Sequence, residues 1–223
     1  LDRVAALSEQ VGECADEFTN AVTKRQFGAD SLPEDWKHAP LGEVAEFQNG
    51  YAFSKDEWEA EGLPIIRIQN LTGTGDGYNH FNGEAPEKYH VYPGDILFAW
   101  SGTIDAFQWS GEHAVLNQHI YKVIPDSEQV HEDYIYWLLR YSASELEKQK
   151  QGAALQHITK GMVTDFEVPL PPIEEQKRIV ESLDGMTGRA GRVASNATEV
   201  ETYADELRLS LLQQAFAGEL LRD

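Results

Sequence analysis

Apolar positions along this chain follow one rule at its ends and another in its middle. Leu183, Met186, Ala190, Val193, Ala197, Val200, Ala204, Leu207 and Leu211 are spaced by alternating threes and fours. That is the heptad spacing of helices wound around one another, so these residues are expected to form one coiled-coil seam. A helix from Ile173 to about Phe216 would be roughly 65 Å long at 1.5 Å per residue. Every seventh residue from Leu183 reads Leu, Ala, Ala, Ala, Leu, which would let a partner helix approach closely. Gly185, Gly188 and Gly191 lie early in this segment, each costing about 1 kcal/mol relative to alanine; close packing or fraying near the helix start is the favoured explanation over a hinge. Val4, Leu7, Val11, Cys14, Phe18 and Ala21 repeat the spacing, predicting a second coiled-coil helix over 1 to about 27 with Cys14 in its seam.

The two ends also resemble each other. "DEFTNAVTKRQFGAD" (16–30) aligns without gaps onto "DELRLSLLQQAFAGE" (205–219), with Asp, Glu and Phe identical and Phe18/Leu207 and Val22/Leu211 both apolar. The expectation is a chain that begins with the end of an earlier copy of its own terminal helix, one piece of a longer two-copy protein.

Between the ends, 32–171 has the texture of a mixed α+β domain. Strand candidates are "LPIIRIQNL", "GDILFAW" and "IYKVI", bounded by turns such as "TGTGDGYN". "EDYIYWLLRYSASELEKQ" predicts a helix with Ile135, Leu138, Leu139, Ser142 and Leu146 along one face. Pro169, Pro171 and Pro172 then force an extended exit, and Pro172 followed by Glu174 and Glu175 suits a helix start. The segmentation is therefore 1–31 helix, 32–171 globular domain and 172–223 long helix.

Charge complicates the picture. There are 18 Lys+Arg against 38 Asp+Glu, a formal net charge of −20. By segment the balance is −3 for 1–31 (3 against 6), −13 for 32–171 (9 against 22) and −4 for 172–223 (6 against 10). Composition alone argues against nucleic acid, whose phosphates normally demand Lys and Arg. It equally fits a halophilic-like acidic surface that must stay hydrated in concentrated salt. A single cysteine excludes a disulfide framework, and the lack of an 18-residue apolar run or a signal-like start predicts a soluble, cytoplasmic protein.

Catalytic motifs are missing: there is no GxGxxG after a strand, no phosphate loop and no GxSxG elbow. Asp165 with Glu175 and Lys177 resembles a nuclease metal site, but a helix start already accounts for the last two. His113 and His119, six apart, share neither a helix face nor a strand face, and no metal site is expected. What the middle segment offers is loop polarity: Gln48, Asn49, Tyr51, Gln69, Asn70, Ser101, Gly102, Thr103, Gln108, Trp109, Asn117, Gln118, Gln156, His157 and Lys160. Amides can read base edges through paired donor and acceptor contacts, while hydroxyls and lysine serve phosphates, so these are the candidate DNA-binding residues.

Six stretches in this order, "LPEDWKHAPLGEVAEFQNGYAF", "LPIIRIQNL", "YPGDILFAWSGTIDAF", "NQHIYKVIP", "GAALQHITKGMVTDFEVPLPPIEEQKRIVESLD" and "LRLSLLQQAFAGEL", resemble the DNA specificity subunit of type I restriction-modification systems. The "PLPPIEEQKRIV" joint and the "AFAGEL" tail are the most specific parts, and Ser101, Gly102 and Thr103 match a recurring family loop. The resemblance implies a target recognition domain at about 32–171, reading one half of a split double-stranded DNA site, and a helix that pairs antiparallel with its counterpart to set the spacing of two half-sites. It implies a second recognition half, in the same protein or in a homodimer, with this chain the carboxy-terminal half. It also implies docked methyltransferase and restriction/translocase subunits. The specificity subunit itself would be no enzyme and bind no cofactor; S-adenosylmethionine, ATP and Mg would belong to the partner subunits. Two rivals from other classes are an acidic DNA-mimic inhibitor and a coiled-coil assembly adaptor.

Overall fold

The computed structural model describes residues 2–28, 32–33, 36–75, 77–152 and 158–216. In chain order the helices are α1 (Asp2–Phe27), α2 (Leu41–Val44), α3 (Ile68–Leu71), α4 (Glu132–Gly152), α5 (Lys160–Thr164) and α6 (Ile173–Phe216). The strands are β1 (Lys37–Pro40), β2 (Ala45–Asn49), β3 (Leu63–Ile66), β4 (Asn79–Phe81), β5 (His90–Val91), β6 (Ile96–Ser101), β7 (Thr103–Gln108), β8 (Ala114–Leu116), β9 (Ile120–Pro125) and β10 (Glu167–Leu170). The class is α+β. Two units are separable: Thr23–Val180 forms one, and Leu1–Val22 with Glu181–Asp223 forms the other.

In the larger unit, one sheet has the order β2-β9-β6-β7, antiparallel throughout. A second runs β4-β3-β8-β5, with β3 and β8 parallel. β1 and β10 pair separately, His38 opposite Pro169. Apolar alternation is absent from "ILFA" because Ile96, Leu97, Phe98 and Ala99 are all buried, β6 being covered on both faces. One core cluster joins Ile66, Val91, Leu97, Ala114, Leu116 and Ile120 across both sheets. α4 supplies Ile135, Leu138, Leu139, Ser142 and Leu146, all buried as their spacing predicts.

The stretch "RIQNL" is a correction, since β3 ends at Ile66 and a helical turn replaces the expected strand. Asn70 turns the chain there: its Oδ1 accepts the Arg67 amide N–H at 2.9 Å, competing with any strand ladder.

Proline punctuation at the joint works as expected. Pro169 sits in a two-stranded pair, where an absent N–H is tolerated, and the Pro172 carbonyl accepts the first amides of α6 from Glu175 (2.8 Å) and Gln176 (3.0 Å). Lys177 pairs with Glu174 and Arg178 with Glu175, so these side chains stabilise the first helical turns. Gln176, fully buried, does more. Its Oε1 accepts the His131 amide (2.8 Å), and its Nε2 donates to the carbonyls of Gln129 (3.0 Å) and Pro171 (2.9 Å). The start of α6 is thereby tied to the entrance of α4. Nearby, Tyr134 donates its hydroxyl to the Pro169 carbonyl at 3.0 Å, and burial pushes its pKa far above the ordinary tyrosine value. Phe27, at the end of α1, is 1% exposed and packs against Tyr134 (5.7 Å, edge-on) and Tyr141 (5.8 Å).

In the smaller unit α6 runs unbroken, but the expected seam is only half used. Leu183 is buried and Met186, Ala190, Ala197 and Ala204 are half-buried, whereas Val193, Val200, Leu207 and Leu211 are exposed. On α1 the buried or half-buried stripe includes Val4, Ala5, Ser8, Val11, Gly12, Ala15 and Thr19, while Leu7, Cys14, Phe18 and Ala21 face solvent. Cys14 as a seam residue is thus corrected. Ala5, Ser8 and Gly12 of α1 line one groove with Thr198 and Glu201 of α6. Small side chains on that face of α1 allow a closer approach of backbones than larger residues would. The glycines also depart from expectation: the helix does not fray at them, and a Cβ on Gly185 or Gly191 would meet nothing within 4 Å.

Two outcomes follow. Gln176→Ala strips partners from three backbone groups and should lower unfolding stability by about 3 kcal/mol in chemical denaturation. Gly191→Ala, in open space on a helix, should instead raise the helical melting midpoint, corresponding to about 0.5–1 kcal/mol by circular dichroism.

Candidate nucleic-acid interface

Strand register brings several of the polar loops to one edge of the larger unit. Asn49 ends β2 opposite Tyr121, Ala99 faces Ile120 at the start of β9, and Ser101 faces Thr103 across the β6–β7 tip. Backbone bonds tie these ends together. Gly50 N–H donates to Ile120 O (3.1 Å), Tyr51 N–H to Leu116 O (2.8 Å), Trp100 N–H to His119 O (3.3 Å) and Asn117 N–H to Ile66 O (3.0 Å). The second sheet's β3 exit, with Gln69 and Asn70 just beyond it, therefore adjoins the same edge. Gly50 is required there, since a Cβ would run into the Leu116 and Asn117 carbonyls, and Gly102 turns the tip at φ +78°.

Of the candidate residues, Asn49, Tyr51, Gln69, Asn70, Ser101, Gly102, Thr103, Asn117 and Gln118 are gathered at this edge. Their side chains differ in freedom. Asn49, Gln69 and Thr103 are exposed. Gln118 is half-buried and bonds its neighbour His119, at 3.4 Å. Asn70 is occupied: besides accepting from Arg67, its Nδ2 donates to the Gly77 carbonyl at 2.8 Å, pinning the 71–77 loop. Gln48 lies within β2 and donates to Glu46 (3.1 Å).

Three candidates sit elsewhere or are spent. Gln108, at the opposite end of β7 beside Ile96, donates to Asp133 at 3.1 Å. Trp109 is buried in the core cluster, with its indole N–H given to the Glu112 carbonyl at 2.8 Å, so it has no edge to present. Lys160 is exposed, but its ammonium donates to the Phe47 carbonyl at 3.0 Å and lies over the Tyr121 ring, so it is already bonded. Gln156 and His157 lie outside the described residues.

The edge also carries groups that residue-by-residue reading passed over. Exposed His119 packs edge-on to Trp100 (5.5 Å), which stacks on Tyr121 (5.6 Å, 21°); burial raises the Tyr121 pKa. Tyr51 contacts Tyr89 (5.4 Å) and Phe53 (4.8 Å), and Lys88 sits over the Tyr89 ring. Arg67 lies over Trp58 at 5.1 Å. Cation–aromatic neighbours were the available signal: Arg67 opens "RIQNL" and Lys88 precedes Tyr89. By contrast, Lys122 is held by Asp95 at 2.6 Å. Chemically the edge is a row of neutral donors and acceptors flanked by aromatic faces, with few free cations among the described residues. Among those residues no group of three metal-ligating side chains occurs, and no helix is long and apolar enough to cross a membrane.

Fold and edge together define a mixed α+β body flanked in sequence by long helices, and known sequences place it. The family profile described as "Type I restriction modification DNA specificity domain" matches residues 33–189. The chain belongs to that family. Among similar proteins are the type I restriction enzyme EcoBI specificity subunit of Escherichia coli, 27% identical over 198 residues, covering 88% of this chain and 42% of that one, and the MjaVIII specificity subunit of Methanocaldococcus jannaschii, 30% identical over 168 residues, covering 68% and 39%. The solved HsdS subunit from Thermoanaerobacter tengcongensis aligns with a TM-score of 0.62 at 24% identity, over 98% of this chain and 57% of that chain. This chain therefore spans about two fifths of the length of these curated relatives.

Structural and free amides should separate on mutation. Asn70→Ala releases two backbone partners and should cost about 1–2 kcal/mol, whereas Gln118→Ala and Thr103→Ala should stay within about 0.5 kcal/mol in the same thermal-shift series.

Proposed function

We propose that this chain is the sequence-reading half of a type I specificity subunit, in which the edge of Asn49, Ser101, Thr103, Gln118 and His119 reads one half of a bipartite DNA target. The observation that carries this is the convergence of four polar loops at one sheet edge, within the segment that matches the specificity-domain family. Amide and hydroxyl pairs discriminate base edges, while the aromatic and cationic fringe of Tyr51, Lys88 and Arg67 suits the sugar-phosphate margin. On this reading the chain itself performs no chemistry. α6 spaces two half-sites, and the helices dock methyltransferase subunits that use S-adenosylmethionine and a restriction/translocase subunit that uses ATP and Mg.

The acidic body sets the expected affinity. Arg67 and Lys88 are the described cations that fringe the edge, so the slope of log K against log salt should be about −2, far shallower than for a protein with many phosphate contacts. Specificity would then persist at salt concentrations that release ordinary DNA-binding proteins, as a halophilic-like surface requires.

The test is footprinting of the chain assembled with its partner subunits. The expected outcome is protection of one short sequence. Gln118→Ala or Thr103→Ala should each relax discrimination at one base position by about 1–3 kcal/mol. Equal binding to cognate and random duplexes overturns the reading. Binding to methyltransferase subunits without affinity for any duplex would instead mark an acidic DNA mimic.

A further inference from the structure

The two arginines of 32–171, Arg67 and Arg140, are used differently. Arg140 pairs with Asp105 at 3.4 Å. Arg67 is half-buried with its Cζ 5.1 Å from the centre of the Trp58 ring, and among the described residues no carboxylate pairs with it, although the segment holds 22 acidic residues. Its Nε is enclosed without a partner, which leaves Nη1 and Nη2 to meet a ligand. Both ends of the stack are fixed. Trp58 packs on Phe53, Ile65 and Val115, while the Arg67 amide is held by Asn70 Oδ1 at 2.9 Å. Register then sets what lies alongside. Ile65 pairs with Val115 and Ile66 with Leu116 in parallel, so Arg67 and Asn117 leave the sheet side by side. Ile65 and Val115 share one core cluster, and residues two further along each extended strand fall on that same face. Tyr51 continues the row through its bridge to Asn117.

We propose that Arg67 selects guanine at one position of the half-site, its Nη1 and Nη2 donating to O6 and N7 in the major groove, with Trp58 as the plate that fixes the plane of the fork. This rests on the DNA reading proposed above and names a residue and a base for it. Charge alone would suit a phosphate equally, and Lys88, a cation seated over the Tyr89 ring, is suited to that task. Arg67 differs from it in kind. A planar fork held against an aromatic ring, with its backbone pinned and an amide beside it, is preorganised for a flat edge bearing two acceptors; a point charge on a flexible stem needs none of this. Guanine is the base whose major-groove edge offers two adjacent acceptors, whereas adenine sets a donor beside its N7. The charge of Arg67 still counts in the salt slope, because it displaces counterions in the groove as well.

The experiment measures binding of the chain, assembled with its partner subunits, to the duplex that footprinting defines and to the same duplex carrying 7-deazaguanine at each guanine in turn. That base lacks the N7 acceptor and otherwise pairs normally. One guanine of this half-site is expected to respond, with 7-deazaguanine or adenine there weakening binding about 10- to 100-fold. Arg67→Lys keeps the charge and loses the fork, so it should cut that ratio to below about threefold while the salt slope and melting temperature stay in place. Lys88→Ala should do the reverse, lowering the slope by about 1 with the guanine preference intact. The inference is overturned if no guanine responds to 7-deazaguanine, if Arg67→Lys keeps the ratio, or if Lys88→Ala removes it. It is also overturned if Arg67→Ala weakens cognate and random duplexes alike, which would mark a phosphate contact. The 7-deazaguanine series needs no variant, so a poorly folded substitution does not shield the inference. If the parent protects no sequence at all, the DNA reading itself fails; a parent that is selective yet blind to N7 removes the guanine assignment alone.

Discussion

Gln176 holds the joint on which the larger unit depends. Three backbone groups from two connections, His131 N–H, Gln129 O and Pro171 O, converge on one buried amide. A carboxamide is suited to this, because it offers donor and acceptor on one planar group without the desolvation cost of a charge. Around it the chain ends are pinned on α4 from two directions: Tyr134 bonds the Pro169 carbonyl before α6, and Phe27 packs on the same tyrosine at the end of α1. The body's entry and exit therefore share one helix, and any displacement of α4 would move both.

With its ends tied in this way, the body presents its opposite chemistry at the sheet edge. Some of the cations that a basic nucleic-acid binder would expose are turned inward here, Lys122 to Asp95 and Arg140 to Asp105. Part of the positive charge in this fold is used for architecture, and on the reading proposed above recognition would fall mainly to neutral amides, hydroxyls and aromatic faces. Such an edge gains discrimination from unpaired donors and acceptors that a wrong base would leave unmet, and gains little from phosphate attraction. On the proposed reading, a net-acidic composition and sequence-reading DNA binding are compatible: one concerns where adhesion comes from, the other where selectivity comes from.

What the sequence disclosed follows from how local each signal is. The faces of α4 and the start of α6 were legible because period and proline chemistry act within a few residues. The residues of β6 and β9 were legible as apolar β-rich runs. Pairings were not: nothing in "AVL" says that it lies parallel to "LPII", yet that pairing carries Asn117 to the β3 exit and completes the edge. The polar candidates show the same limit. Asn70, Trp109 and Lys160 look like their neighbours in sequence, but each is committed to a backbone carbonyl that only the folded chain supplies. Composition identifies groups able to read a base and is silent on which have already been used.

The helical ends expose a subtler ambiguity. A three-four spacing identifies an apolar sector about two stripes wide, and it does not say which stripe faces the helix within the same chain. Here the small residues are the ones partly withdrawn from solvent, Ala190, Ala197 and Ala204 on α6 and Ala5, Ser8 and Gly12 on α1, while Val193, Val200 and Leu207 stay open. Close backbone approach recovers dispersion contacts that bulkier side chains would hold apart. The larger residues are then left as a second apolar face on the same helix. A heptad pattern that seemed to specify one partner therefore encodes two surfaces, while a Cβ at Gly185 or Gly191 would meet open space.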